Sequence, residues 1–383
     1  MNKKLVAVAV AGLLAAPLAA QAQTANVTLY GRLNMTMEAV NGQAVDPNLP
    51  ASAAPVNRTL YRVNSNSSRL GVKGSESLGG GLSAIFQIES SVQADITGGV
   101  FASRDTFVGL QGTWGTYRMG WMQAPYDDIH AIFGDVPTLT TSILSTAALW
   151  AQGSQSQDNG GFDNRLGNSI RYDTPNMKGF VAGLQISAYD FSPSSGGGGT
   201  TFGTDAQAKR HGYVGSLAGT YANGPFQAGV GYQWNQKVRG PSLNDYAVSV
   251  AANWNFGVVK IGGVYERLDY DVFNNSDLTR NFFALSATAP IGPGELYAFY
   301  GVAKNGTGPK GAKVGQLAAG DNTGAAQWEI SYTYALSKRT LAYTGFVQTR
   351  NADNAAYNFN INPYTVVNGA NANGFVVGLV HFF

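Results

Sequence analysis

The chain has 383 residues, with 25 Lys and Arg against 23 Asp and Glu, a formal net charge of +2, and no cysteine. This near-balance of charge gives no electrostatic basis for binding nucleic acid, and the missing cysteines exclude disulfides and thiolate metal sites. Only 13% of the residues are charged, yet no apolar run after Ala20 is long enough for a membrane helix. The apolar residues are instead spread through alternating segments, which is typical of strands with one apolar face.

The first 22 residues predict a cleaved secretory signal. Two lysines at positions 3 and 4 precede an apolar stretch that ends at Ala20, and small residues at 20 and 22 offer a cleavage site before Gln23. A single membrane helix is the alternative, but the apolar stretch is short and contains Pro17. We therefore predict a signal peptide over 1–22 and one barrel domain over 23–383, which is formally neutral because both lysines are removed.

Short turns and longer polar loops alternate along the rest of the chain. The short turns lie at 77–81, 112–115, 174–179, 222–225, 255–257, 290–294 and 336–339. The longer connections lie at roughly 40–57, 91–101, 124–165, 190–209, 236–243, 271–279, 305–323 and 352–372. Together these connections predict about sixteen strands, with both termini on the side of the short turns.

Within the segments, polarity alternates from residue to residue. In one segment the apolar face is formed by Val27, Leu29, Leu33 and Met35, and in another by Trp328, Ile330, Tyr332 and Tyr334. A soluble β-sandwich shows the same alternation and is the alternative fold. Aromatic residues at strand ends and the shortage of lysine on the polar faces favour a transmembrane antiparallel β-barrel, an all-β fold.

The last segment of the chain also favours a membrane barrel. One of its faces carries Phe375, Val377, Leu379, His381 and Phe383, so the chain stays apolar to its final residue. Terminal residues of soluble domains are usually frayed, so an apolar end needs a cover, and lipid is one. We expect this strand to pair with the strand that begins near Asn26, which closes the barrel and leaves no free edge.

The candidate motifs for catalysis and metal binding in this sequence are incomplete. The segment 306–313 superficially resembles a phosphate loop, but it lacks Gly-Lys-Ser/Thr at the required spacing. His130, His211 and His381 are scattered, without metal-ligand spacing and without a nearby nucleophile motif. The sequence therefore predicts no metal site, no cofactor and no enzymatic activity, and an outer-membrane or secreted hydrolase is the less favoured alternative.

Three stretches resemble one known family. The stretch 68–89, the stretch 334–340 with Tyr343, and the ending 377–383 are similar to hairpins and the last strand of the general porins of Gram-negative beta-proteobacteria. With the opening Leu29-Tyr30-Gly31, these matches span nearly the whole mature chain.

The resemblance implies a homotrimeric porin in the outer membrane of a Gram-negative bacterium. It implies sixteen strands, with the third extracellular loop, about 124–165, folded inward to narrow a water-filled channel. Ions and small hydrophilic solutes would diffuse through it passively, and a substrate-specific channel is the alternative. The implied partners are outer-membrane lipid, lipopolysaccharide and the barrel-assembly machinery, which would read the terminal Phe383.

Candidate channel residues follow from strand parity and from this loop. The basic candidates have neighbours that take the lipid face, and they are Arg32, Arg69, Lys73 and Arg118. The acidic candidates on the inward loop, which we expect to stand opposite them, are Asp127, Asp128 and Asp135. Around 64–68 the parity is ambiguous. A basic wall facing an acidic loop would orient dipolar solutes and admit small hydrated ions.

The chain departs from the family at positions that bear on selectivity. Trp121 stands where the family usually carries arginine, and Val380 and Phe382 stand where its last strand often has basic residues. We therefore predict a weak ion preference of uncertain sign.

Overall fold

The computed structural model describes residues 26–44, 55–134, 142–152, 159–190, 211–272 and 276–383. Nearly all of the regular structure is antiparallel β. The strands are β1 (Asn26–Ala44), β2 (Val56–Ser65), β3 (Arg69–Gly79), β4 (Leu82–Ser91), β5 (Thr106–Gly112), β6 (Gly115–Gln123), β7 (Arg165–Asp173), β8 (Phe180–Asp190), β9 (His211–Asn223), β10 (Phe226–Gln236), β11 (Asn244–Asn255), β12 (Lys260–Asp271), β13 (Asp277–Ile291), β14 (Gly294–Ala303), β15 (Lys313–Val314), β16 (Leu317–Ala318), β17 (Ala325–Ala335), β18 (Thr340–Asn351) and β19 (Ala372–Phe382).

In the ranges that the structure describes, helical structure is confined to short pieces of one connection. A single turn of α-helix, α1 (His130–Phe133), follows a 3₁₀ turn at Pro125–Ile129, and two further 3₁₀ turns lie at Thr146–Ala148 and Trp150–Gln152. Within the described residues, no helix has the length and apolar character needed to cross a membrane.

The sheet closes on itself through β1. One edge of β1 pairs with β19, from Arg32 opposite Phe382 to Asn41 opposite Asn373. Its other edge pairs with β2 and then with β3, so these two strands are halves of one wall strand, interrupted at Ser67, which has a φ of 50°. The barrel therefore has sixteen wall strands, and the predicted strand count and closing pair are confirmed.

The break at Ser67 explains why the parity around 64–68 was ambiguous in the sequence. Asn66 and Ser68 are buried there, and their side chains bond to β1 through Thr36 and Asn34. Side-chain hydrogen bonds thus replace the backbone ladder across the gap.

The two faces of the wall differ as the alternation predicted. On β19 the side chains of Phe375, Val377 and Leu379 are about half exposed on the outer face, at 48%, 49% and 49%, while Val376 and Val380 are fully buried on the inner face. An apolar outer band is required where a wall meets lipid.

The connections fall where the sequence placed them. Short turns join β3 to β4, β5 to β6 and the later hairpins, and longer connections alternate with them around the barrel. The third long connection, 124–164, follows β6, and the connection between β14 and β17 carries the small hairpin β15–β16. The main cluster of buried apolar side chains lies inside the barrel, where Trp150 and Phe133 of the third connection meet Leu268, Phe282 and Phe299 of the wall.

Candidate functional site

Parts of the third long connection are hydrogen-bonded to buried side chains of the barrel wall. We call two of its described parts, 124–134 and 142–152, the inner segment. The Tyr126 hydroxyl donates to Glu266 Oε1 at 2.8 Å, and Trp150 Nε1 donates to Ser249 Oγ at 3.0 Å. The Tyr297 hydroxyl donates to the carbonyl oxygen of Phe133 at 3.1 Å. These partners lie on β11, β12 and β14, so the segment is bonded to several wall strands.

Aromatic packing fixes the shape of the inner segment itself. The fully buried Trp150 stacks on Tyr126 with ring centroids 5.4 Å apart, and it stacks on His130 at 5.0 Å. Phe133 meets Trp150 edge-on at 5.7 Å. The pieces before and after residues 135–141 are thereby joined into one packed unit.

The last long connection, 352–371, contacts both this unit and the wall. Asn360 Nδ2 donates to Ser145 Oγ of the inner segment at 3.1 Å. At the other side Arg62 donates to the carbonyl oxygen of Asn362, and Arg62 also pairs with Glu38 of β1 at 2.8 Å.

Three of the predicted basic residues lie on the inner face of β1 and β3. Arg32 is buried, with Nε donating to the carbonyl oxygen of Ser67 at 3.3 Å, and Arg69 is its register partner. Arg69 Nη1 lies 3.7 Å from Glu89 Oε1, and Lys73 Nζ lies 5.0 Å from the centre of the Tyr30 ring.

Two further arginines belong to this basic group and were missed in the sequence. Arg104 pairs with Glu89, which Arg69 also reaches, and Arg165 pairs with Asp105 at 2.6 Å. Burial lowers the pKa of Arg104, and the positive charges of Arg165 and Arg69 lower it further, so these guanidinium groups are close together. Arg104 lies in a connection, where alternation gives no signal, and Arg165 stands at the first residue of a strand.

Arg118 belongs to a second group of charged side chains, on β6 and β7. Its guanidinium pairs with Asp173, which also pairs with Arg171 at 2.9 Å, and Arg171 reaches Asp128 of the inner segment at 2.8 Å. The sequence predicted that Asp128 would stand opposite the basic residues, whereas a chain of ion pairs along one wall connects it to Arg118. Parity could have identified Arg171, because its neighbours Ile170 and Tyr172 are exposed on the outer face.

The other predicted acidic residues have different surroundings. Burial raises the pKa of Asp127 well above its ordinary value, and the nearby carboxylate of Asp163, with which it is hydrogen-bonded, raises that pKa further. Gln123 Nε2 also donates to Asp163, at 3.0 Å. The Asp127 carboxyl therefore favours its protonated, neutral form. Asp135 lies outside the described residues.

The predicted terminal residue, Phe383, lies at the seam of the barrel. Its backbone N–H donates to the carbonyl oxygen of Gly31 at 3.1 Å, and the Gly31 N–H donates back to Phe383 at 3.1 Å. The Phe383 ring covers Gly31 so closely that a Cβ atom there would lie 2.6 Å from Cζ, which explains the need for glycine.

Acidic and histidine side chains do not gather into a metal site anywhere in the part of the chain that the structure describes, where no group of three could hold an ion.

Comparisons with known proteins agree with this architecture. Residues 7–354 match the family described as Gram-negative porin. Outer membrane porin protein 32 of Delftia acidovorans is 31% identical over 391 residues, and the match covers 100% of both chains. Major outer membrane protein P.IA of Neisseria meningitidis serogroup C is 27% identical over 421 residues, again over 100% of both chains.

Solved structures of porins and outer membrane proteins have a similar fold. The anion-selective porin from Comamonas acidovorans has a TM-score of 0.71 at 27% identity, covering 94% of this chain and 100% of that chain. The trimer form of OmpT from Vibrio cholerae shares the fold, with a TM-score of 0.61 at 15% identity over 94% of this chain and 99% of that chain. The chain therefore belongs to the Gram-negative porin family and is an outer-membrane protein.

Proposed function

We propose that this porin forms a water-filled channel for passive diffusion of ions and small hydrophilic solutes, and that the inner segment narrows it. The observation that carries the proposal is the set of hydrogen bonds that the inner segment donates to wall residues such as Ser249 and Glu266. A segment bonded to the inner face of a closed barrel occupies part of its cross-section. Passage is then limited to the remaining space, beside the charged groups of β1, β3, β6 and β7.

We infer that the narrow part of this channel is lined by the residues that the sequence singled out. They are Arg32, Arg69, Lys73, Arg118, Asp127, Asp128 and Asp135, and we add Arg104, Arg165 and Arg171. Support comes from shared partners, since Glu89 pairs with both Arg69 and Arg104. Burial and the nearby carboxylate of Asp163 raise the pKa of Asp127, which reduces the negative charge that the inner segment presents.

We propose that the ion preference is for anions and is modest. The basic group, which adds Arg104 and Arg165 to the basic residues of β1 and β3, outnumbers its acidic partners, Glu89 and Asp105. The group of Arg118 and Arg171 is closer to neutral, because Asp173 and Asp128 balance it. The relative from Comamonas acidovorans is itself named an anion-selective porin.

Reversal potentials across a KCl gradient in a planar bilayer test the selectivity. We expect wild-type channels to favour chloride and the Arg104→Gln variant to shift the reversal potential toward potassium, because one buried cation is removed from the basic group. Arg267→Gln is the matched control, since Arg267 is half exposed and pairs with Asp269 on the outer face of β12. A cation-selective wild type, or equal shifts in both variants, would contradict the proposal.

We propose further that the functional unit is a homotrimer set in lipid and lipopolysaccharide. A trimer form of OmpT, which shares the fold, supports this. We also propose that residues 1–22 are removed on export and that Phe383 is the feature read by the assembly machinery, for which its place at the barrel seam is the support. Since the relatives are porins, catalysis forms no part of the proposed function.

A further inference from the structure

A fully buried ion pair lies beneath the inner segment. Arg280 Nη2 of β13 is 3.0 Å from Glu266 Oε2 of β12, and neither side chain is exposed to solvent. Moving two charges out of water is costly, and a well-packed apolar pair of similar volume is often equally or more stable. The pair therefore requires an explanation other than the stability of the wall, and its remaining contacts provide one.

Glu266 holds two points of the inner segment that are distant in sequence. Its Oε1 atom accepts from the Tyr126 hydroxyl at 2.8 Å and from the backbone N–H of Ala151 at 2.8 Å. Tyr126 lies near the beginning of the segment and Ala151 near its end. One carboxylate oxygen thus joins both ends of the segment to β12.

Arg280 adds contacts that a neutral side chain could not make together. Its Nη2 donates to the carbonyl oxygen of Leu149 as well as to Glu266, and its Nη1 donates to the hydroxyl of Tyr357 at 3.5 Å. Tyr357 belongs to the last long connection. The planar guanidinium has donors in a fixed fork, so it sets the inner segment, the wall and that connection in one geometry.

Several other anchors of the segment are neutral, and the ion pair between Arg171 and Asp128 is partly exposed. Ser249, Tyr297 and Gln327 each make one hydrogen bond to it between neutral groups. Hydrogen bonds to ionised groups are shorter and roughly twice as strong, and a buried pair cannot exchange its partners for water. The buried ion pair of Glu266 and Arg280 is therefore the most directional of these attachments between the inner segment and the wall.

We propose that Glu266 and Arg280 are positioning residues that fix the inner segment, and so set the width and steadiness of the channel, without touching the permeating solute. This inference rests on the proposed function, in which the inner segment narrows the channel. The size limit of the channel then depends on a buried ion pair that is separate from the charged residues proposed to line the channel.

The Glu266→Gln variant tests the proposal with little change in volume. The new amide oxygen can still accept from Tyr126 and Ala151, but its NH₂ group then faces Arg280 Nη2, so two donors meet and the guanidinium loses its counter-charge. We expect wild-type channels to show a single uniform conductance level and purified channels of this variant to lose it, with noisier open states. In liposome swelling they should admit sugars above the wild-type size limit.

Two further variants separate positioning from general damage. Asp269→Asn removes a carboxylate from the outer face of the same strand, where Asp269 pairs with Arg267, and we expect wild-type recordings from it. Tyr126→Phe removes one bond to Glu266 while leaving the ion pair intact, and we expect the same changes as in Glu266→Gln on a smaller scale. It also provides the test if Glu266→Gln does not fold. Heat-modifiable migration on SDS gels reports whether each barrel is closed.

The results that would overturn the inference are distinct from failure of the proposed function. Folded Glu266→Gln or Tyr126→Phe channels with the conductance level, noise and size limit of the wild type would refute a positioning role. A wild type that does not conduct would instead refute the channel on which the inference rests.

Discussion

Replacing Trp150 by alanine should release the inner segment while leaving the barrel closed. The indole is fully buried between Tyr126 and His130, and its Nε1–H donates to Ser249. Truncating a buried aromatic side chain costs about 3–5 kcal/mol, and the lost hydrogen bond is included in that range. Because each 1.4 kcal/mol is a factor of ten, docking of the segment should weaken by roughly 10²- to 4 × 10³-fold.

This loss falls on the inner segment because Trp150 lies in a connection and makes no backbone pair of the wall. Single-channel recordings of Trp150→Ala should show frequent transitions between levels, while the heat-modifiable gel shift of the folded barrel persists. Ser249→Ala, which removes only the hydrogen-bond acceptor, should cost about 1 kcal/mol and have a smaller effect. Trp254→Ala is the matched control, since Trp254 is 46% exposed on the other side of β11. Recordings of Trp150→Ala that match the wild type would refute the reasoning.

Three further outcomes can be checked. Deleting Phe383 removes the residue that exchanges two backbone hydrogen bonds with Gly31. Trimer yield in the outer membrane should therefore fall more than the conductance of the channels that do form. A normal yield would contradict this. Both carboxylate oxygens of the buried Glu329 lack a hydrogen-bond partner within the described residues, so Glu329→Leu, which removes both oxygens, should raise the free energy of unfolding by about 1–3 kcal/mol in urea titrations of vesicle-inserted protein, and a lower value would count against the reasoning. Burial lowers the pKa of His130 although Asp163 opposes the shift, so the undocked segment binds more protons than the docked one below about pH 6.5. Docking of the inner segment should therefore be complete at neutral pH and weaken as the pH falls through the lowered pKa. Channel noise should rise on acidification in the wild type but not in His130→Phe. An equal rise in both would exclude His130 as the cause.

The pattern of strands was available from the sequence because it depends on neighbours along the chain. Alternation assigned each side chain to a face, and the turn residues marked where each strand ends. The apolar positions of the last strand likewise indicated that it closes the barrel, which its pairing with β1 confirms. The same alternation would have placed Arg171 on the inner face, had it been applied to β7.

The arrangement of charges required the tertiary structure, because the partners are distant in sequence. Tyr126 and Glu266 are 140 residues apart, and alternation within a strand does not determine which inner side chain a connection reaches. Arg104 lies in a connection without a repeating pattern, where a backbone hydrogen bond to the carbonyl oxygen of Glu89 brings it to that residue, and Asp128 meets Arg171 instead of facing Arg118 across a gap. The sequence by itself thus determined that there is a barrel and which faces of its strands turn inward, since both follow from local periodicity. Only the closed structure decided which charges meet inside it, since those contacts depend on how distant connections fold against the wall.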